Sequence, residues 1–508
     1  MTDPNEPLTR RAARDAAKPR KPFTAGPKPL RQPTLDPATG ERLPPKGIAA
    51  LYAKHPRIWL ASTLSVAFLV LCTGALFAGV ASGRGGPSVA GPDGSVAVPD
   101  RAVPQEIPAP TRLRTCTVAP LASDPALMTL RGEVINASTK EVMFTRGGTV
   151  PARTGSVLKP LTASAALLAL GPDYRLTTSV FEGTIPGSVV LVGGGDATLN
   201  SLSNGENIYK GAAKLSDLAT KVTNTWSSLH GDEPITSIVL DATMWDADDS
   251  WNSSWARSEQ TSGYLSEVTA LQFDGDRQDP TQQVSPRSSD PVMAAGKKFA
   301  AALGVPNATL SLGKTASSIN LGEVRSQPVS TLINQMLVTS DGTLAETLAR
   351  VVSSQMGLGG GSASVGQAIS TALQPLGIDT GKLAIVDGSG LSAENGVPPD
   401  FMAQFMALAV GGTNDLTYVY NALSVAGESG ALKNRFTGDN AIAKGKVVGK
   451  TGYITTAYTL SGLVTAEDGT VLAFAFYAIG EGIRDTAKPA LDTLVTGLYS
   501  CGDNLANN

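Results

Sequence analysis

Two histidines and three cysteines among 508 residues leave little material for several common chemistries. His55 lies in a basic N-terminal stretch, and His230 falls in "SLHGDEP", which reads as a polar surface turn. Neither a Ser-His-Asp triad nor a histidine-ligated zinc can be built around them, so hydrolytic chemistry here needs another base. With so few thiols a cysteine-based metal site is also short of ligands, and no metal or cofactor is expected. A surplus of either charge is missing too: 41 Lys and Arg stand against 44 Asp and Glu, and no nucleic-acid partner is expected.

The balance is uneven along the chain. Residues 1–57 hold 12 basic and 5 acidic residues, a local net of +7 that leaves −10 for the remainder. The divider is Ile58–Val80, 23 residues without a charge, enough to cross a hydrocarbon core of ~30 Å as a helix. A cleaved signal peptide would begin within the first few residues and carry a shorter apolar core. The 57-residue preamble therefore points to a retained transmembrane helix, and its basic surplus puts the N-terminus in the cytoplasm. Residues 1–57, rich in Pro, Ala and charge, read as a disordered cytoplasmic tail, and 81–114, rich in Gly and Pro, as a linker. Everything beyond is expected to be extracytoplasmic, anchored to the cytoplasmic membrane by a single pass. Cys72 sits in the span, whereas Cys116 and Cys501 bracket the external part; an oxidising compartment favours a disulfide between them, the alternative being two buried thiols.

The external part alternates helical and strand patterns, an α/β or α+β class. "VLKPLTASAALLAL" (Val157 to Leu170) predicts a helix buried on most sides. "SVVLVGGGDATL" (Ser188 to Leu199) predicts a strand entering a glycine turn; it is no dinucleotide fingerprint, because a G-x-G-x-x-G frame from Gly193 reaches Thr198 at the third glycine. The polar, turn-rich stretch from about 200 to 290 suggests an insertion. Helices return at Pro291 to Gly304 and Val329 to Leu337. In "SDGTLAETLAR" the pair Thr343 and Glu346 has the form of a capping box. "KLAIVDGSGLS" predicts a strand ending in a turn, "PDFMAQFMALAV" a helix, and the C-terminal part antiparallel strands with a hairpin turn at "EDGT".

Chemistry enters with "TGSVLKPL". Ser156 and Lys159, three apart, share one face of a helix, with the serine at the N-terminal end where the dipole favours developing negative charge. A lysine in a poorly solvated cleft has a lowered pKa and can act as the base that histidine would otherwise supply. A second match, "SLGK" at Ser311 to Lys314, contains a glycine, opens no apolar helix and is read as chance. "GKTG" at Gly449 to Gly452 adds weight to the first, since S-x-x-K followed at long range by K-T-G marks penicillin-binding proteins and serine β-lactamases.

The chain resembles the D-alanyl-D-alanine carboxypeptidase/endopeptidases among low-molecular-mass penicillin-binding proteins, the group with a large insertion between its first two motifs. The resemblance runs over roughly 115–501 and rests on "SVLK", "LVGGGDATL", "SDGTLAE", "DGSGLS", "VAGESGALKNRF" and "KTG", in that order. The 184 residues separating Ser156 from Ser340 also suit that group. It implies a β-lactamase/transpeptidase-like domain, an antiparallel sheet flanked by helices, over 115–176 and 291–501, with one or more smaller inserted domains over 177–290. It further implies that Ser156 attacks the penultimate D-Ala carbonyl of a peptidoglycan stem peptide, or a β-lactam. Lys159 then takes the serine proton, Ser340 relays a proton to the leaving amine, and Lys450 and Thr451 hold the substrate carboxylate. Backbone N–H groups of Ser156 and Tyr453, beside Gly452, form the oxyanion hole.

Three departures stand out. The second motif normally reads Ser-x-Asn, and its third place is Gly342, which offers neither amide hydrogen bond. The residue after K-T-G is normally Thr or Ser, and here it is Tyr453. "TGSVLKP" lacks the family's usual Pro-Ala before the serine. "SWN" (Ser250 to Asn252) and "SIN" (Ser318 to Asn320) fit the bare second motif, but neither leads into a capped helix. Two readings follow: an active membrane-anchored serine carboxypeptidase or endopeptidase, and a catalytically impaired homologue that binds wall peptides or a protein partner. A β-lactamase comes third, because no acidic deacylation residue can be assigned.

Overall fold

The computed structural model describes residues 113–506. The 1–57 tail, the Ile58–Val80 span and all but the end of the 81–114 linker lie outside the described residues. No described helix is long and apolar enough to cross a membrane.

The described chain opens with α1 (Ala119–Ala122), β1 (Thr129–Asn136) and β2 (Val142–Arg146), then a 3-10 turn, Gly155–Leu158, that runs directly into α2 (Lys159–Leu170). Next come β3 (Thr177–Glu182), β4 (Ser188–Val192), α3 (Leu215–His230), β5 (Ser237–Asp241), α4 (Ser258–Thr261), α5 (Pro291–Ala302), β6 (Thr309–Leu312) and β7 (Asn320–Arg325). Helices then dominate: α6 (Val329–Thr339), α7 (Gly342–Gln355), α8 (Ser362–Ala372), α9 (Pro399–Val410) and α10 (Thr417–Asn421). The end is β8 (Ser424–Val425), β9 (Val447–Ile454), β10 (Ala457–Thr465), β11 (Val471–Ile479) and α11 (Ala487–Cys501).

The larger sheet has the order β2-β1-β11-β10-β9-β8 and is antiparallel throughout. Its central strands read as near-continuous apolar runs because both faces are covered. Tyr458, Leu460 and Val464 of β10 pack in a core with α11, while Leu463, Ala473 and Tyr477 face the helical cluster. The hairpin between β10 and β11 closes over Ala466 to Thr470, with Gly469 at positive φ, as "EDGT" predicts. First and last strands pair along their whole length, Thr129 opposite Ile479. Cys116 and Cys501 are joined as a disulfide, Cα atoms 5.4 Å apart. β8 covers β9 only at Val448 and Gly449, so no strand pairs the outer edge of β9 from Lys450 onward among the described residues.

A second sheet, β6-β5-β4-β3-β7, pairs β4, β5 and β6 in parallel and the others antiparallel. α3 and α5 pack on it through Trp226, Val222 and Phe299. This layer corrects the insertion's expected end at 290. β6 and β7 belong to it, and α5, read as a return to the main domain, fills its core with Ala295 and Phe299. Entry and exit lie side by side, with Leu176 N–H donating to Ser326 Oγ at 2.9 Å and Ser326 N–H to the Leu176 carbonyl at 2.8 Å. The stretch between β5 and α5 is not mere loop either: Trp245, Trp255 and Leu265 are buried in the core of the helical cluster. His230, expected in a surface turn, ends α3 with its ring 4.2 Å from that of Trp226 and Nε2 3.1 Å from the Glu182 carboxylate.

Two local expectations fail for physical reasons. Thr343 and Glu346 form no capping box. The N-cap of α7 is Asp341, whose Oδ1 accepts from Leu344 N–H at 3.0 Å, while Glu346 points into the core to other donors. "KLAIVDGSGLS" forms no strand beyond one bridge, Ala384 with Gly396, because Leu383 N–H turns back to the Thr380 carbonyl, Val386 N–H goes to Asn395 Oδ1, and the N–H groups of Gly388 to Gly390 and of Ser392 go to carboxylates.

Candidate active site

Ser156 sits in the 3-10 turn ahead of α2, and the backbone around it admits almost no extra atoms. Gly155 has a φ of +50°, and a methyl group there would lie 2.9 Å from Tyr453 N; one on Gly452 would lie 2.4 Å from the Thr154 carbonyl and 2.9 Å from Ser156 N. These glycines let β9 run against the turn, setting the N–H groups of Ser156 and Tyr453 close to one another. Thr459, opposite Gly452 on β10, fixes the turn from below by donating to the Thr154 carbonyl at 2.5 Å.

Lys159, one turn on, is buried. Its Nζ donates to Ser156 Oγ at 2.7 Å and to the Ser389 carbonyl at 2.8 Å. Burial drives the ammonium down to about 8 against the opposing attraction of Asp387, Glu346 and Asp341; desolvation penalises the charged form more than those carboxylates restore it. Lys450, also buried, donates to Ser340 Oγ and to its neighbour's carbonyl at Thr451, both at 2.9 Å. Burial, and then the like charge of Lys159, hold it well below the ordinary lysine range. The two Ser–Lys pairs therefore share one cleft, close enough for their ammonium groups to repel.

Ser340 is held in an unusual conformation. It follows α6 with φ 57° and ψ 39°, the left-handed region that costs a non-glycine residue about 1 kcal/mol or more. The next residue locks it. Buried Asp341 caps α7 through Oδ1, and its Oδ2 accepts from Arg277 Nη2 and Tyr209 Oη, each at 2.8 Å. Arg277 also donates to Tyr209 Oη at 2.8 Å. Burial alone would raise the Asp341 carboxyl, but Arg277 and Arg287 outweigh it and hold the group at about 2. Thus Arg277, from the segment after β5, and Tyr209, from the turn before α3, fix the backbone bearing Ser340.

Of the residues singled out in sequence, Ser156, Lys159, Ser340, Lys450, Thr451, Gly452 and Tyr453 gather here. Gly342 is the first residue of α7, and a methyl on it would meet Leu265 at 3.4 Å, Leu391 at 3.5 Å and the Tyr264 carbonyl at 3.6 Å, ordinary contacts. Tyr453 is 55% exposed, its ring 4.6 Å from Tyr458, which bonds to Asp485. The decoys lie elsewhere: Ser311 and Asn320 are on β6 and β7 of the second sheet, and Asn252 donates to the Val386 carbonyl. Sequence reasoning missed Asp341, Arg277 and Tyr209. Asp341 carried a signal, an Asp just ahead of a helix; Arg277 and Tyr209, 64 and 132 residues away from it, carried none.

Known proteins resemble this chain in sequence and in fold. The model of the D-Ala-D-Ala carboxypeptidase 3 (S13) family matches residues 115–284 and 276–496. Carboxypeptidase DacB of Mycolicibacterium smegmatis is 34% identical over 466 residues, 88% of this chain and 99% of that protein. Carboxypeptidase Rv3627c of Mycobacterium tuberculosis is 33% identical over 396 residues, 76% of this chain and 84% of that one. Among solved structures, penicillin binding protein 4 (dacB) from Haemophilus influenzae superposes with a TM-score of 0.61 at 18% identity, covering 73% of this chain and 96% of its own, a likeness of fold. The same protein has also been solved in complex with a novel β-lactam. With a family model spanning most of its length and relatives above 30% identity across it, this chain belongs to the D-Ala-D-Ala carboxypeptidase 3 (S13) family.

Proposed function

We propose that this chain is a membrane-anchored serine D-alanyl-D-alanine carboxypeptidase/endopeptidase that hydrolyses peptidoglycan stem peptides through an acyl-enzyme on Ser156, and that β-lactams acylate the same residue. The observation that carries the reading is the 2.7 Å contact of Lys159 Nζ with Ser156 Oγ at a lysine depressed to about 8. As Oγ attacks the penultimate D-Ala carbonyl carbon, its proton passes to neutral Lys159. The N–H groups of Ser156 and Tyr453 take up the oxyanion charge, a contribution of several kcal/mol in acyl transfer. When the C–N bond breaks, a proton relayed through Ser340 completes the leaving amine, and Lys450 lowers the energy of that hydroxyl's anionic character. Water then cleaves the Ser156 ester and returns the proton, so the cycle closes without net change in the protein. Lys450 and Thr451 offer hydrogen bonds to a terminal carboxylate, whose negative charge itself favours the Lys450 ammonium, and the family's description supports the D-Ala-D-Ala class. The Ile58–Val80 span would tether the domain outside the cytoplasm.

Incubation of the full chain with a labelled penicillin, followed by mass mapping, tests the reading. A covalent adduct on Ser156, absent in Ser156→Ala, is expected. No adduct after prolonged exposure to excess drug would leave the impaired homologue in its place. Deleting residues 58–80 should move the protein from the membrane fraction to the soluble one, and unchanged sedimentation with membranes would remove the tether.

A further inference from the structure

Lys159 has two hydrogen-bond partners, and the second is supplied by a loop built for little else. In the "DGSGLS" segment the backbone N–H groups turn inward onto two buried carboxylates. Glu346, from α7, accepts from Ser389 N–H at 2.7 Å through Oε1 and from Gly388 N–H at 3.0 Å through both oxygens. Asp387 accepts from Gly390 N–H at 2.7 Å and Ser392 N–H at 2.6 Å, and from Asn395 Nδ2 and Trp255 Nε1 at 2.8 and 2.9 Å. From α2, Thr162 donates to the Gly388 carbonyl at 2.6 Å. Both peptide planes flanking Ser389 are thereby fixed, and the one free direction of the Ser389 carbonyl is toward Lys159 Nζ, 2.8 Å away.

We propose that the Ser389 carbonyl, clamped by Glu346 and Asp387, is the group that orients the base Lys159, and that Glu346 is a positioning residue for acylation. Gly342 carries no side-chain amide that could orient Lys159, and a methyl there would meet Leu265, Leu391 and the Tyr264 carbonyl. This rests on the acyl-enzyme reading of Ser156. Each N–H bonded to a carboxylate polarises the carbonyl of its own peptide, so the Gly390 N–H on Asp387 makes the Ser389 carbonyl a stronger acceptor. A base oriented by a third group is the general logic of activated nucleophiles. The charges around Lys159 are Lys450 from β9, Asp387 from the loop, Glu346 from α7 and Asp341 at its N-cap; Arg350, one turn further along α7, faces Glu346. Burial, then Asp387, raises Glu346 to about 7 against the pull of the loop N–H groups. The clamp thus titrates close to the pH at which the base is released.

The test is the pH profile of penicillin acylation for Glu346→Gln and Glu346→Asp in the full chain, with folding checked by circular dichroism and melting. In Glu346→Gln an NH2 group must face the Gly388 N–H. The limiting acylation rate is expected to fall at least about tenfold, as for a misplaced catalytic group. With one negative charge removed, the acid limb should move to lower pH. Glu346→Asp should return the limb toward its wild-type position, and Thr162→Val, which frees the Gly388 carbonyl, should lower the rate without moving the limb. A folded Glu346→Gln with wild-type rate and profile would overturn the proposal, as would a lower rate on an unmoved limb, the mark of a structural role alone. If neither Glu346 variant folds, Thr162→Val decides, and an unchanged rate there would count against the clamp. Absence of a Ser156 adduct in the wild type would instead overturn the acyl-enzyme reading itself.

Discussion

Asp341→Asn strikes the point where the segment after β5 holds the backbone bearing Ser340. Among the described residues the carboxylate is the sole anion accepting from Arg277, and each side chain is about 1% exposed. Removing one partner of such a pair leaves a buried charge uncompensated, at a cost of roughly 3–5 kcal/mol. A second figure comes from proton linkage. A carboxyl lowered from 3.8 to about 2 contributes about 2.5 kcal/mol. The linkage figure is the smaller because it counts only ionisation; the amide must also turn an NH2 toward Leu344 N–H or toward Arg277. A loss of about 3 kcal/mol at pH 7 is therefore expected. The folded pKa is depressed, so the contribution is complete above about pH 4 and fades as pH falls toward 2. Urea unfolding followed by tryptophan fluorescence, from pH 7 down to the acid limit of the fold, should show the gap between wild type and variant narrowing below pH 4. Because Asp341 precedes α7 and locks the strained Ser340, penicillin acylation should fall along with stability. Equal midpoints at pH 7, or a gap that does not change with pH, would refute the reasoning.

Three further outcomes are expected. Acylation of Ser156 should climb through about pH 8 and level off above it, since the neutral lysine is the active form; Lys159→Arg, which stays protonated, should form no adduct, and a wild-type plateau already reached by pH 6 would contradict this. In Gly342→Asn the new Cβ meets its neighbours only at 3.4 Å or longer; with folding checked by melting, the variant should raise kcat/KM for a D-Ala-D-Ala peptide, its amide turned toward the cleft, while leaving the pH limb in place, and a displaced limb would mean that Lys159 depends on residue 342 after all. Reducing the Cys116–Cys501 bond, which spans 385 residues, should lower thermal stability, with a chain-entropy ceiling of about 6 kcal/mol; Cys116→Ser should melt with the reduced protein, and an unchanged melting temperature would show that pairing of β1 with β11 already holds the ends.

What could be seen in the sequence was local in origin. Ser156 with Lys159, the K-T-G strand and the "EDGT" hairpin each occupy a few adjacent residues whose spacing carries the geometry. The outline of the main sheet and helices followed from apolar periodicity. Periodicity reports that a residue is buried and is silent on what buries it: α5 reads like the catalytic helices yet packs on the second sheet. Glu346 had the spacing of a capping partner, but two N–H groups 42 and 43 residues away outcompeted the helix end. The apolar run before Asp387 looked like a strand, and its continuation was instead folded around carboxylates. The Arg277–Asp341 pair joins segments 64 residues apart, and no local rule connects them.

The hydrogen-bonded neck at Leu176 and Ser326 invites the view that the second layer is a module threaded through one narrow gate, free to be trimmed or exchanged. Arg277 argues otherwise. A chain spliced from 176 to 326 would keep its main sheet, Lys159, Lys450 and Ser156, yet bury Asp341 without Arg277 and Arg287, the charges that hold its carboxylate ionised. Such a minimal enzyme would need an apolar or amide replacement at 341 before it could shed the layer. Size in this chain is then partly an electrostatic commitment: with the backbone at Ser340 supported by a distant arginine, the intervening segment cannot be discarded in a single step.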